Sequence, residues 1–394
     1  MDALSALLEL SGSEKETLGV THTPREIAQQ PQTWETTFSE LSRRRREIQK
    51  CLQAVGVDAT ASSKPTVFLV GAGTSDFIGH SLHHLLRQQW RCEVIPVAST
   101  SLLLEFEEYV LPDREYLWVS FSRSGDSPEG VQVIRRALEQ CQNVRHLVVS
   151  CNGDGQILRA IDGNPQSLGI LLDDAVNDRG LAMTSSFTNM VLAGQFLAHA
   201  LSVDTYEPIS LALMRAARKL IPIASDLAKR LASDNYQRAC FVGSAALTGA
   251  AMESALKVLE LTAGKVQTMW QSTLALRHGP MAALNQETLF VSLLSSDPRR
   301  QKYEVDLLGE VARKKLARTI IAIAPCNLGE VQQYADHLLV PDHADEVPDL
   351  YRPVLDVIFG QLLGLFGSLH ASLKPDTPSP TGAISRVVQH IGTY

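Results

Sequence analysis

What most constrains this chain is a repeated rhythm: a short, nearly continuous apolar run, a loop of glycines and hydroxyls, then a helical pattern. Thr66-Val67-Phe68-Leu69-Val70 leads through Gly71-Ala72-Gly73-Thr74-Ser75 into a helix that ends near Arg87. Tyr116-Leu117-Trp118-Val119 leads through Ser120–Ser127 into a helix over 130–138. Cys92–Val97, Val144–Ser150 and Leu168–Leu172 are the other strands expected of this set. Strands without polar alternation are buried on both faces, and helices between them imply parallel order. The expected fold class is α/β, a parallel sheet covered by helices on both sides.

The rhythm restarts about 170 residues further on, as an internal duplication does. Ala239-Cys240-Phe241-Val242, Thr288–Leu294, Thr319–Ala324 and His337–Pro341 are the expected strands. Helices are expected over 252–262 and 303–314, and an amphipathic helix over 350–373 closes the unit. A chain of 394 residues with 45% hydrophobic content holds two such cores. The expected division is an entry segment 1–64, a first unit 65–205, a bridging helix 206–235, a second unit 236–372 and a tail 373–394. In the entry segment, Thr23, Pro24 and Glu26 read as a capping box with proline at the first helical position. Pro31 stops that helix, and a longer one follows over 32–55. Its run Arg43–Arg46 reads as a solvated face, with a phosphate patch as the alternative.

A net charge of −7 argues against nucleic acid as a partner. No window reaches 18 uncharged apolar residues, so no membrane span is expected. The N-terminus lacks a basic region before an apolar core, so no signal peptide is expected. The six cysteines form no C-x-x-C pair and several lie in apolar runs, which points to reduced, buried thiols and the cytoplasm.

Ligands in parallel α/β sheets sit at the carboxyl ends of strands, near a switch point in strand order. The loops Gly73-Thr74-Ser75, Ser99-Thr100-Ser101 and Ser122–Ser127 fall at such ends, and Arg179–Ser186 is a fourth candidate. Hydroxyls together with free N–H groups at a helix start suit an anion; the alternative is an ordinary strand-to-helix turn. Gly71-Ala72-Gly73 opens like a dinucleotide fingerprint, but Asp76 stands where the third glycine belongs and no ribose-binding acid follows. A P-loop lysine is absent too. Converging Ser and Thr groups with almost no cation suit a sugar phosphate.

The second unit lacks this loop. Its counterpart, Ser295-Ser296-Asp297-Pro298, has no glycine. It offers Lys257 and Glu260 on one helix face, and His278 in the turn Arg277-His278-Gly279-Pro280. Each has a plainer reading, a surface ion pair and a structural turn histidine. Together they supply a carboxylate base and an imidazole, which proton transfer between adjacent sugar carbons requires. No histidine shows metal-ligand spacing, and neither metal nor cofactor is expected.

With Gly73-Thr74-Ser75, Ser122–Ser127, Lys257-Val258-Leu259-Glu260 and Arg277–Pro280 in this order, the chain resembles the sugar isomerase (SIS) domain family in its two-domain form. The resemblance covers about residues 22–394 and implies two tandem flavodoxin-like three-layer units. It implies phosphate held by Thr74, Ser75, Ser122, Arg123, Ser124 and Ser127, with Gly73, Ser99, Leu181 and Ser385 as further substrate contacts. Glu260 becomes the enolisation base with Lys257 beside it, and His278 assists ring opening, often from the partner subunit. A homodimer or dimer of dimers is expected, since the phosphate loops and the His-Gly-Pro turn lie in different units.

The resemblance has departures. The chain starts Met1-Asp2, without the cysteine nucleophile of glutamine-fed relatives. Where those have a carbonyl-binding lysine, Arg386 stands in Gly382–Val388, and arginine is a poor imine former. His22–Pro31 and Ser379-Pro380-Thr381-Gly382 look most like the AgaS branch, which implies an amino-sugar phosphate deaminase or a tagatose-6-phosphate ketose/aldose isomerase. A sugar-phosphate sensor without turnover is the rival from another class.

Overall fold

The computed structural model describes residues 1–57 and 63–388. It contains two five-stranded parallel sheets. The first is built from β1 (Thr66–Gly71), β2 (Val94–Ala98), β3 (Tyr116–Ser122), β4 (Val144–Ser150) and β5 (Ser167–Leu171), in the order β2-β1-β3-β4-β5. The second is built from β6 (Arg238–Gly243), β7 (Gln267–Ser272), β8 (Thr288–Leu293), β9 (Thr319–Ile323) and β10 (His337–Leu339), in the order β10-β9-β8-β6-β7. Counted within its own unit each sheet runs 2-1-3-4-5, the flavodoxin-like order. The strand order reverses between β1 and β3, and again between β6 and β8.

Both faces of the first sheet are covered. Phe68, Val70 and Trp118 pack with Leu102, Phe106 and Val133. On the other side Leu69 meets the Thr74–Trp90 helix so closely that a Cβ on Gly79 would lie 3.0 Å from the Leu69 Cβ. In the second sheet Cys240, Phe290 and Ile320 pack with Leu307 and Leu308 of the Pro298–Arg313 helix.

The two compact units are not contiguous in sequence. The first-sheet unit comprises Gln32–Asn177, Ser185–Pro208 and the chain from Ile384. The second-sheet unit comprises Met1–Pro31, Asp178–Thr184 and Ile209–Ala383. One described helix, Pro353–His370, is long and apolar enough to cross a membrane, yet 89% of that window is buried inside the protein, as in a core helix. All six cysteines are free thiols.

Four local expectations are corrected. β7 is a strand that the apolar pattern does not reveal; it lies at a sheet edge and is half-exposed along its length. The capping box at Thr23 does not form. Thr23 donates its hydroxyl to Asp376 at 2.8 Å, and Glu26 accepts from the N–H of Arg179 at 2.5 Å, so tertiary partners outbid the local cap. Pro31 does not end a helix but lies in the first turn of Gln30–Arg43, and the 32–55 helix is broken at Arg44 into Gln30–Arg43 and Arg45–Val55. The arginine run is not simply solvated. Arg44 donates to the Gly169 carbonyl at 2.9 Å and Arg45 to that of Ala200 at 3.4 Å.

Candidate active site

In the first-sheet unit, Ser75, Ser99, Ser122 and Ser127 line one small cleft, and Ser120 of β3 joins them. The cleft lies at the carboxyl ends of β1 and β3, where the strand order reverses. Ser75 enters it because β1 turns sharply at Gly71. A Cβ on Gly71 would fall 2.3 Å from the Ser75 carbonyl carbon, so only glycine fits. Gly73 follows at φ +56, and the helix starts at Thr74. Burial pushes the Asp76 carboxyl, in the first turn, up to about 6. Ser120 opens the Ser120–Ser127 stretch singled out in the sequence but was not among the expected phosphate contacts; its position two residues before Ser122, on the same side of a strand, was the available signal.

The Ser122–Ser127 loop is held by its own backbone. Gly125 donates its N–H to Ser122 Oγ at 3.0 Å, and Asp126 donates to Ser124 Oγ at 3.2 Å. The next loop braces it, with Asn152 Nδ2 donating to the Ser124 carbonyl at 2.7 Å and the Ile157 N–H to that of Gly125 at 2.9 Å. Gly125 has φ +69, and a Cβ there would lie 2.8 Å from Gly155 Cα. Ser127 precedes the Pro128–Gln140 helix and makes no side-chain cap to it. The first N–H groups of that helix thus face the loop. Thr74, Arg123 and Ser124 are buried but are not on the cleft wall. Arg123 donates to the Arg386 carbonyl, Arg386 donates to Asn177 Oδ1 at 2.6 Å, and Ser385 donates to the Val387 carbonyl at 2.7 Å.

In the second-sheet unit the Leu247–Leu261 helix carries the charged group. Lys257 is fully buried, so the plain surface ion pair is ruled out. Its Nζ lies 2.5 Å from Glu260 Oε2 and 3.3 Å from Glu253 Oε1. Burial opposes the ammonium, but Glu253 and then Glu260 outweigh it and hold its pKa above the usual lysine value. The Pro353–His370 helix encloses the group through glycines. A Cβ on Gly360 would meet Ser254 Cβ at 2.4 Å, and one on Gly364 would meet the Lys257 carbonyl oxygen at 2.8 Å. Glu253 is wholly buried while the Glu260 side chain keeps 23% exposure. Glu253 is the member that sequence reading missed, although its spacing of four from Lys257 marks one helix face.

His278 sits on an exposed turn after β7. Leu276 is buried beneath it, and Arg277 ties the turn to the next helix through Glu310 and Asp306 at 2.6 and 2.7 Å. Gly279 at φ +118 makes the reversal. Among the described residues no hydrogen bond or ion pair joins His278 to Glu260. Leu181 belongs to a loop of the same unit that is held through its main chain. Its N–H donates to the Asp376 carbonyl at 3.0 Å, and the Gly180 N–H donates to Glu26 at 3.2 Å. Burial, then the charge of Asp178, pushes the Glu26 carboxyl up to about 8. Among the described residues no cluster of three His, Cys, Asp or Glu is placed to hold a metal ion.

No family model matches the chain. An AgaS relative from Streptomyces coelicolor is 37% identical over 372 residues, 94% of each protein. The D-galactosamine-6-phosphate deaminase AgaS of Escherichia coli is 32% identical over 94% of this chain and 95% of its own length. The chain belongs to the AgaS family. A solved structure of tagatose-6-phosphate ketose/aldose isomerase from Escherichia coli matches with a TM-score of 0.82 at 31% identity, covering 92% of this chain and 95% of that one. At that coverage the AgaS family likeness extends over both five-stranded sheets.

Proposed function

We propose that this chain is a deaminating isomerase of a hexosamine 6-phosphate, converting galactosamine 6-phosphate and water to tagatose 6-phosphate and ammonia. The observation that carries the reading is the buried Glu253–Lys257–Glu260 group, which pins one oxygen of a partly exposed carboxylate and leaves the other for a proton. The deaminase name of the Escherichia coli AgaS relative supplies the substrate class.

The serine cleft of the first unit holds the phosphate through hydroxyls and helix N–H groups, and its binding energy positions the reacting carbons. His278 opens the ring by handling the O5 and O1 protons. Glu260 takes the C2 proton and returns it to C1, which turns the amine-bearing carbon into a ketimine. Water adds to that carbon and ammonia leaves. No metal or cofactor enters these steps. The exposed His278 turn fits an imidazole offered to a second copy of the chain, in a cytoplasmic homodimer or dimer of dimers. Mixed oligomers of Glu260→Gln and His278→Ala chains should then regain part of the activity that each variant lacks alone.

The 31% identity to a tagatose-6-phosphate ketose/aldose isomerase favours a second reading, the same proton transfer on a neutral sugar phosphate. Ammonia release from galactosamine 6-phosphate and from glucosamine 6-phosphate is the deciding assay. Ammonia supports the deaminase, and the faster sugar sets the C4 preference. Conversion of tagatose 6-phosphate to galactose 6-phosphate without ammonia moves the reading to the plain isomerase. Silence with both, while the sugars still raise Tm, points to a sensor.

A further inference from the structure

Arg123 is the one cation in the Ser122–Ser127 loop, and a cation among hydroxyls reads as a phosphate ligand. Its side chain goes elsewhere. It is buried, it is not on the cleft wall, and its Nη2 donates to the backbone carbonyl of Arg386. Arg386 donates in turn to Oδ1 of Asn177, which is buried beyond β5. All three residues belong to the first-sheet unit, which includes the chain from Ile384.

We propose that Arg123 is a positioning residue that clasps the carboxy-terminal segment at Arg386 to the phosphate loop, so that filling the cleft and docking the segment favour each other. Ser122 is on the cleft wall and Arg123 is the next residue, so an anion that fixes the backbone at Ser122 fixes the base of the Arg123 side chain. The acceptor is a main-chain carbonyl, so the clasp depends on where the segment lies and not on which side chain stands at 386. Ser385 and Arg386, both on the segment, are thereby held in register with the loop. The coupling is reciprocal, so whatever factor phosphate adds to docking, docking adds to phosphate affinity. The proposal rests on the function above only for the identity of the anion, and it is tested with inorganic phosphate and no turnover.

Trypsin cuts after Arg386 when the segment lifts, so release of the peptide beginning at Val387 reports docking. Arg123→Met is expected to release that peptide about tenfold faster than wild type. Phosphate should slow the wild-type cut by about two- to threefold, leave the variant's unchanged, and bind the variant more weakly by that same factor. Arg123→Lys keeps the charge but loses the fork; its cut should be severalfold faster, and it stands in if the methionine variant does not fold. Unchanged cutting in both variants overturns the proposal. So does a tenfold or greater loss of phosphate affinity with unchanged cutting, which would make Arg123 a direct phosphate ligand.

Discussion

Two helices in this molecule begin in the same way and serve different ends. Pro128–Gln140 follows β3 and Pro298–Arg313 follows β8, each with proline in its first turn. The residue before each has nearly the same backbone, φ −60 and ψ 118 at Ser127, φ −74 and ψ 117 at Asp297. Asp297 accepts from the N–H groups of Arg299 and Arg300 at 2.8 and 3.0 Å. Asp349 accepts from the Ser295 hydroxyl and, at 2.8 Å, from the Ser296 N–H; Glu304 accepts from the Ser295 N–H at 2.8 Å. The chain's own carboxylates thus fill the second loop. Ser127 makes no such cap, and no carboxylate is among the described residues lining the β3 cleft. A helix start favours an anion. One unit supplies it from within, and the other is left to take it from solution.

The largest stability effect is expected where the internal anion is removed. Asp349 also accepts from Arg352, which is fully buried and donates to Asp356 at 2.6 Å. Asp349→Ala takes one acceptor from that guanidinium, which keeps Asp356 and the Leu294 carbonyl, and leaves the Ser295 hydroxyl and the Ser296 N–H without their acceptor. We expect a loss of roughly 2–5 kcal/mol in urea unfolding from those unpaired donors, with phosphate affinity unchanged in whatever fraction stays folded. If phosphate affinity falls with it, the two loops are not independent.

Glu26 is the contrasting buried carboxyl. Asp349 is buried beside Arg352, whereas burial and the neighbouring Asp178 raise the Glu26 pKa from 4.5 to about 8. Below about pH 4 the group is protonated in both folded and unfolded chains and costs nothing. As pH rises from 4.5 toward 8 the unfolded chain ionises first, so stability falls, and the loss is complete above about 8. Glu26→Gln should therefore gain roughly 2–4 kcal/mol over wild type at pH 9, with the gap closing by pH 4. A gap that does not vary with pH would mean that Glu26 is ionised in the fold.

Much of this was legible in the sequence. Nine of the ten strands announce themselves because continuous apolar runs are what a doubly covered sheet demands. β7 did not, since its residues Gln267–Ser272 are exposed or half-buried throughout and carry no apolar run. The entry segment was opaque for a different reason. Its buried side chains include Thr23, Glu26 and Gln30, whose partners Asp376, Gly180 and Gln361 lie far along the chain. At the site, the serines and the Lys257–Glu260 spacing were readable, while Glu253 and the turning of Arg123 toward Arg386 depend on tertiary neighbours.

Gly125 tests whether the open loop needs its close approach. With φ +69 and Gly155 Cα 2.8 Å from an added Cβ, Gly125→Ala meets backbone on both counts. We expect about 2 kcal/mol of lost stability and a matching loss of phosphate affinity, read by thermal unfolding with and without phosphate. A variant that keeps wild-type phosphate binding would show that the loop reshapes freely.

Ser127→Asp makes the first loop imitate the second. The backbone at position 127 already matches that of Asp297, so the new carboxylate should reach the N–H groups of the first turn as Asp297 does. Capping and the favourable helix field should then stabilise the ligand-free protein by about 0.5–1 kcal/mol. The same carboxylate occupies the donors that a phosphate needs and repels its charge, so phosphate should bind at least about tenfold more weakly, about 1.4 kcal/mol. Stability up and phosphate affinity down, in one variant, is the signature of a site switched from an external anion to an internal one. Stability up with phosphate affinity intact would place the anion away from this helix start, and the contrast between the two loops would then concern folding alone.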